Sequence, residues 1–267
     1  MKIAIFKFAS CSGCQLELLN LEEELLEIAS KVEIAYFVEA SRKLMKGPYD
    51  ISLVEGSVST PEQLEELHKI REESKYLIAI GSCATSGGIQ ALRNWAQLEE
   101  YKKIVYPNPE WIKALEKSTP LSEHVKVDFE IRGCPINRKQ LLWVLSQIIV
   151  GREPFLPTHN LCIQCKIEGY TCVLVAKGEP CLGPVVMAGC GALCPSFQRP
   201  CYACYGPSDL PQTTKLAQQF MEKELSKRDI SSLFKKFECW TPKFKEVVEK
   251  YEQNDGDKHK TANKSGG

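Results

Sequence analysis

The chain has 267 residues, 43% of them hydrophobic, and its 34 Lys and Arg are balanced by 34 Asp and Glu. That length supports two domains with separate cores, and a net charge of zero excludes a bulk field steering the chain to nucleic acid or an anionic membrane. Thirteen cysteines exceed what an ordinary cytosolic chain carries, so metal binding is the first expectation and the disulfide framework of a secreted domain the weaker one.

No run approaches the ~20 apolar residues of a membrane span. Residues 1–11 have the outline of a lipoprotein signal, but Lys7 interrupts the apolar run before it reaches the ~7–15 residues such a signal needs. A soluble, cytoplasmic protein is expected, with neither nucleic acid nor membrane as partner.

In chain order, the pattern predicts a buried strand over 2–8 that runs into Cys11-Ser12-Gly13-Cys14. One helix over 14–30 follows, from the stripe Leu16, Leu18, Leu19, Leu25, Leu26 and Ile28. A strand is expected at 32–38, a turn at Gly47-Pro48-Tyr49-Asp50, and a third strand at 51–55 ending in Glu55-Gly56-Ser57. Thr60-Pro61 supplies an N-cap and a proline at the first helical position for a helix to about Ser74. A strand at 76–80 leads through Cys83 into a helix near 88–98, and a proline-rich excursion precedes a strand at 125–131. Gly133-Cys134-Pro135 then turns into an amphipathic helix over 138–150. Strands alternating with helices predict an α/β fold with a parallel, flavodoxin-like sheet over residues 1–152.

In such a sheet the carboxyl ends of all strands share one edge, where ligands bind. Cys11 and Cys14, Cys83 and Cys134 each follow a strand, so three loops far apart in sequence deliver four thiolates to one place. Four thiolates suit a [4Fe–4S] cluster or a structural zinc. A thioredoxin-like dithiol is a third reading of Cys11 and Cys14, but it leaves Cys83 and Cys134 unexplained.

A linker at 151–157 opens an irregular iron–sulfur domain over residues 153–251, and 252–267 is expected to be a polar, disordered tail. Residues 159–207 are rich in Cys, Gly and Pro with little periodicity, so bound metal is expected to hold them together. Helices return at about 213–227, 230–237 and after Thr241-Pro242. The cysteines here are Cys162, Cys165, Cys172, Cys181, Cys190, Cys194, Cys201 and Cys204, enough for two four-thiolate sites; Cys239, beside Trp240, is expected to be a packing residue. A zinc ribbon from Cys162-x2-Cys165 and Cys201-x2-Cys204 is the alternative, weakened by its long separation and the cysteines between.

Cys11-Ser-Gly-Cys14-Gln-Leu-Glu-Leu-Leu-Asn20, Val54-Glu-Gly-Ser57, Ile80-Gly-Ser-Cys83-Ala84, Arg132-Gly-Cys-Pro135, Cys181-Leu-Gly-Pro184, Gly189-Cys-Gly-Ala-Leu-Cys-Pro195 and Pro200-Cys-Tyr-Ala-Cys-Tyr-Gly-Pro207 carry a family resemblance. Over about residues 1–207 the chain resembles [NiFe]-hydrogenase small subunits, most closely the delta subunits of cytosolic archaeal sulfhydrogenases. The resemblance implies a proximal cluster on Cys11, Cys14, Cys83 and Cys134, facing the catalytic large (alpha) subunit. It implies a medial cluster on Cys190, Cys194, Cys201 and Cys204, and a distal one on Cys162, Cys165, Cys172 and Cys181. Membrane-bound relatives have Pro where Cys194 stands and carry [3Fe–4S]; the extra cysteine implies a third [4Fe–4S] cluster. His159-x2-Cys162 resembles the pair that opens the distal site in those relatives, but Cys165 is the expected ligand. The implied function is electron relay through three [4Fe–4S] clusters in a soluble hydrogenase, between the large subunit and flavin- and iron–sulfur-containing diaphorase-type subunits that reduce NADP or sulfur. No catalytic residue of its own is expected. The complex I subunit that shares the N-terminal domain is the runner-up; it has adjacent cysteines at the first position and lacks the cysteine-rich region.

Among the remaining polar residues, His68 and His124 are expected at the surface. Glu17 and Glu55 are expected at the mouth of the cluster edge, as solvent-facing acids or as contacts to the large subunit.

Overall fold

A computed structural model describes residues 1–262. The chain divides into two compact units, Met1–Leu156 and Pro157–Gly267.

The first unit is a five-stranded parallel sheet of β1 (Lys2–Lys7), β2 (Glu33–Phe37), β3 (Tyr49–Glu55), β4 (Ser74–Ile80) and β5 (Phe129–Ile131), in the order β2-β1-β3-β4-β5. This is the flavodoxin-like order, and its topological switch point lies between β1 and β3. Side chains alternate between faces as the strand period requires. Ile3, Ile5, Ile51, Leu53, Ile78 and Ile80 pack on one face with Leu18 of α1 (Gly13–Leu19) and with Leu141, Val144 and Leu145 of a later helix. Ala4, Phe6, Val54, Leu77 and Ala79 pack on the other with Leu67 and Ile70.

The helix expected over 14–30 is two helices, α1 and α2 (Glu23–Lys31). Glu22 between them has φ 47°, and that left-handed residue breaks the run although the apolar stripe continues. Downstream, α3 (Pro61–Glu73) starts at a full capping box: Thr60 Oγ1 accepts from Gln63 N, and Gln63 Oε1 accepts from Thr60 N. Arg71 of α3 ties the sheet's edge, donating to the carbonyls of Ser74, Lys75 and Lys126 and pairing with Asp128.

Cys83 lies in a short helix, α4 (Gly81–Ser86), and a 3₁₀ turn over Ile89–Trp95 replaces the helix expected at 88–98. The excursion that follows contains α5 (Leu98–Val105). The strand expected at 125–131 is confined to Phe129–Ile131, and α6 (Arg138–Ile149) closes the unit, capped by Asn137, which accepts from Lys139 N and Gln140 N.

The second unit begins with α7 (Leu161–Ile167), α8 (Val173–Ala176) and α9 (Leu193–Ser196), none longer than 7 residues. It ends with α10 (Thr213–Glu222), α11 (Lys227–Phe234) and α12 (Pro242–Ala262). Phe220, Phe234, Phe244, Val247 and Val248 form the buried centre of the last three, with Phe234 and Phe244 meeting edge to face at 5.3 Å. α12 extends to Ala262, into the segment expected to be a tail. The rest of that segment, residues 263–267, lies outside the described residues. Among the described residues no helix is long and apolar enough to cross a membrane.

Candidate iron–sulfur sites

The first group forms at the carboxyl edge of the sheet. β1 runs into the Cys11–Cys14 loop, where Ser12 takes φ 65° and its carbonyl accepts from Leu16 N at 2.9 Å to start α1. An isolated antiparallel bridge between Ala9 and Ser57 ties together the chain beyond β1 and β3, and Ser82 N bonds the Gly133 carbonyl at 2.8 Å, joining the ends of β4 and β5. These links bring Cys11, Cys14, Cys83 and Cys134 together. Burial raises the Cys14 thiol strongly, and the charges of Glu55, Cys83 and Cys134 raise it further, against an Ile136 N–H. Burial pushes Cys83 up to about 12, with Cys134, Cys11 and Glu55 adding to it and a Gln90 hydrogen bond opposing.

Three glycines make room for these sulfurs. A Cβ on Gly13 would come within 3.2 Å of Cys11 Sγ, and one on Gly88 within 2.8 Å of Cys83 Sγ. A Cβ on Gly81, which has φ +82°, would collide with Cys14 Sγ. Gly88 therefore has a steric role.

Glu55 departs from its expected place at the surface. It is 2% exposed rather than solvent-facing, because it continues the apolar run of β3 into the sheet. Its Oε1 accepts from Cys14 N at 3.2 Å and Oε2 is buried without a hydrogen-bond partner. Burial raises its carboxyl, opposed mainly by the N–H groups of Cys14 and Gln15. The cue missed in the sequence is an acid placed at the end of an apolar strand beside the switch point. Glu17 is half-buried and pairs with Arg138 of α6 at 3.1 Å. His68 is exposed, whereas His124 is partly buried, hydrogen-bonded to Thr119 Oγ1 at 2.7 Å and lowered by burial.

In the second unit the cysteines form two groups that share Cys181 as a neighbour. Burial raises Cys162 to about 11, with Cys181, Cys172 and Cys165 adding to it and Lys166 opposing. Burial also raises Cys165, and Cys172 and Cys181 are its charged neighbours. The other group gathers around Cys201, which burial holds well above its ordinary value, opposed by the Ala203 N–H and raised by Cys181, Cys204 and Cys190. Cys194 is raised by burial and then by Cys190 and Cys181, against Arg199. Cys239 is fully buried, and His159 is exposed with Nδ1 3.1 Å from the Asn160 carbonyl.

Among the described residues, no three His, Cys, Asp or Glu side chains are close enough to hold a single metal ion. The thiols are neighbours at longer range. Each group sets like charges in low dielectric, an arrangement unfavourable for thiolates unless cations compensate. A thiolate-ligated iron–sulfur cluster is a group of that kind, and N–H donors to sulfur and glycine cradles suit it.

The chain matches the family described as NADH ubiquinone oxidoreductase, 20 Kd subunit, over residues 11–148. It is 41% identical over 208 residues to the sulfhydrogenase 2 subunit delta of Pyrococcus furiosus, covering 78% of this chain and 87% of that protein. It is 34% identical to a subunit of the F420-non-reducing hydrogenase vhu of Methanocaldococcus jannaschii, over 78% of this chain and 83% of that one. Among solved structures, a chain of an NAD+-reducing [NiFe]-hydrogenase matches with TM-score 0.55 and 30% identity, over 59% of this chain and 95% of its own. A Ni-Fe-Se hydrogenase chain from Desulfomicrobium baculatum shares the fold at TM-score 0.53 and 18% identity, over 79% of this chain and 95% of its own. The chain belongs to the 20 Kd subunit family, in its hydrogenase small-subunit branch.

Proposed function

We propose that this chain is the electron-transfer subunit of a [NiFe]-hydrogenase, relaying electrons through three [4Fe–4S] clusters. Cys11, Cys14, Cys83 and Cys134 would hold the first, nearest the H2-activating large subunit. Cys190, Cys194, Cys201 and Cys204 would hold the second, and Cys162, Cys165, Cys172 and Cys181 the third. The observation that supports the reading is the convergence of Cys11, Cys14, Cys83 and Cys134 at the carboxyl edge of the sheet, together with a second unit in which Cys181 neighbours cysteines of both remaining sets. The clusters supply one-electron chemistry. The chain's residues set their potentials by burial, by thiolate charge and by N–H bonds to sulfur.

Relatives in this branch bear sulfhydrogenase, F420-non-reducing and NAD-reducing names. A flavin- and iron–sulfur-containing partner that reduces NADP or sulfur is therefore proposed as the electron acceptor, in the cytoplasm. Leu16, 54% exposed on α1 beside the first group, suits an apolar contact with the large subunit. The family match over 11–148 also fits a quinone-reductase subunit, but the eight cysteines over 162–204 favour the hydrogenase branch.

Metal analysis of the purified chain tests the reading. About twelve iron atoms per chain are expected from three four-iron clusters. About four iron, or stoichiometric zinc with a colourless protein, overturns the three-cluster assignment. The chain freed of partners should show no dye-linked hydrogen uptake.

A further inference from the structure

The two cysteine groups of the second unit meet at one backbone hydrogen bond. Cys201 N–H donates to Cys181 Sγ at 3.2 Å, and Leu182 N–H returns a bond to the Cys201 carbonyl at 3.2 Å. Both cysteines are buried, at 7% exposure for Cys181 and 6% for Cys201. Gly183 leaves the junction open: an added Cβ would lie 3.4 Å from Cys181 Sγ, 3.6 Å from Cys162 Sγ and 3.9 Å from Cys201 Cβ. Its N–H is a second donor to Cys181.

We propose that the Cys201 N–H···Sγ Cys181 bond is the crossing point for electrons between the second and third iron–sulfur groups. The inference rests on the ligand assignment proposed above. Cys181 would carry charge of one group on its sulfur, while Cys201 would hold the other through its own sulfur. The route between them is then Cys181 Sγ, one hydrogen bond, and the N–Cα–Cβ–Sγ atoms of Cys201. One electron leaves one group, which is oxidised, and enters the other, which is reduced. No covalent bond is made or broken. A donor to sulfur stabilises the more negative, reduced form, so the same bond holds the third group's potential up.

Isotope labelling of the intact complex tests this directly. The third group's paramagnetic signal is identified by its loss in Cys165→Ala. With [15N]glycine that signal should show a nitrogen coupling from Gly183, which serves as the control. With [15N]cysteine it should show a comparable coupling from Cys201. The first group, whose ligand cysteines carry the same label while Ile136 donates to Cys14, sets the background from the ligands' own nitrogens. Glycine coupling without cysteine coupling overturns the bridge alone. Absence of the third signal overturns the ligand assignment and the bridge with it. Gly183→Val should weaken the cysteine coupling and slow electron passage several-fold with iron content unchanged. Unaltered passage after the coupling is lost overturns the crossing role. Gly183→Ala, whose methyl meets these atoms at ordinary contact distances, is the milder wedge should valine displace iron.

Discussion

The two units hold their cysteines by opposite means. In the first, the thiols stand on loops at the edge of a sheet whose two faces are packed by Ile51, Leu53, Ile78 and Ile80 on one side and Val54, Leu77 and Ala79 on the other. In the second, the cysteine segment has helices of only 4–7 residues, and the regular core lies in α10–α12 beyond it. The sheet is a scaffold that positions a ligand set. The segment around Cys162–Cys204 has too little of its own packing to fix eight thiols, so bound metal is expected to do part of the folding.

Removing iron should separate the two means most sharply. Amides over 159–207 are expected to lose most of their exchange protection on chelation, while those of β1, β3 and β4 keep theirs. Protection that survives in both units would break the comparison.

Next in size is a change that strikes the scaffold's site alone. Gly81→Val places a branched side chain at φ +82° against Cys14 Sγ. Iron should fall by about four atoms per chain, the content of one cluster, with the two signals of the second unit intact. Loss of all iron would mean that the units do not load independently.

Within the second unit, Cys165→Ala should abolish or degrade the signal of the third group, whereas His159→Ala should leave it and the iron content unchanged. Cys165 has Cys172 and Cys181 as charged neighbours, and His159 is exposed. The reverse result would assign the site to the imidazole.

The smallest effect concerns the sheet's edge. Burial acts to raise the Asp128 carboxyl, but the Leu77 N–H and Arg71 outweigh it, so its folded pKa lies below the ordinary value. A depressed pKa stabilises the fold above the unfolded value of about 3.9 and ceases to do so as pH falls through the folded one. Asp128→Asn should therefore cost about 1–2 kcal/mol at pH 7 in urea unfolding. The gap from wild type should close below about pH 4. A gap that stays constant with pH would remove the charge from the account.

Elements that repeat a short-range pattern are legible in the sequence alone. Continuous apolar runs mark β1 and β3, Thr60-Pro61 marks the start of α3, and Asn137 stands where α6 begins. What the pattern misjudges are breaks made by single residues. Glu22 at φ 47° splits one apolar stripe into α1 and α2, and the segment after Cys83 winds as a 3₁₀ turn. Periodicity records which residues are apolar, and a single backbone dihedral leaves no trace in it.

The sequence by itself determined the cysteine inventory, the strand-end position of the first four and the parallel α/β class, because spacing and hydrophobic period are local properties. Only the tertiary structure decided which sulfurs of the second unit are neighbours. It placed Glu55 inside the protein with its carboxylate on the Cys14 N–H, gave Gly81, Gly88 and Gly183 their places against sulfur, and laid the Cys201 N–H on Cys181 Sγ. The two hydrogen bonds join residues 41 and 20 positions apart, and chain crossing, strand register and burial set them rather than any pattern within one segment.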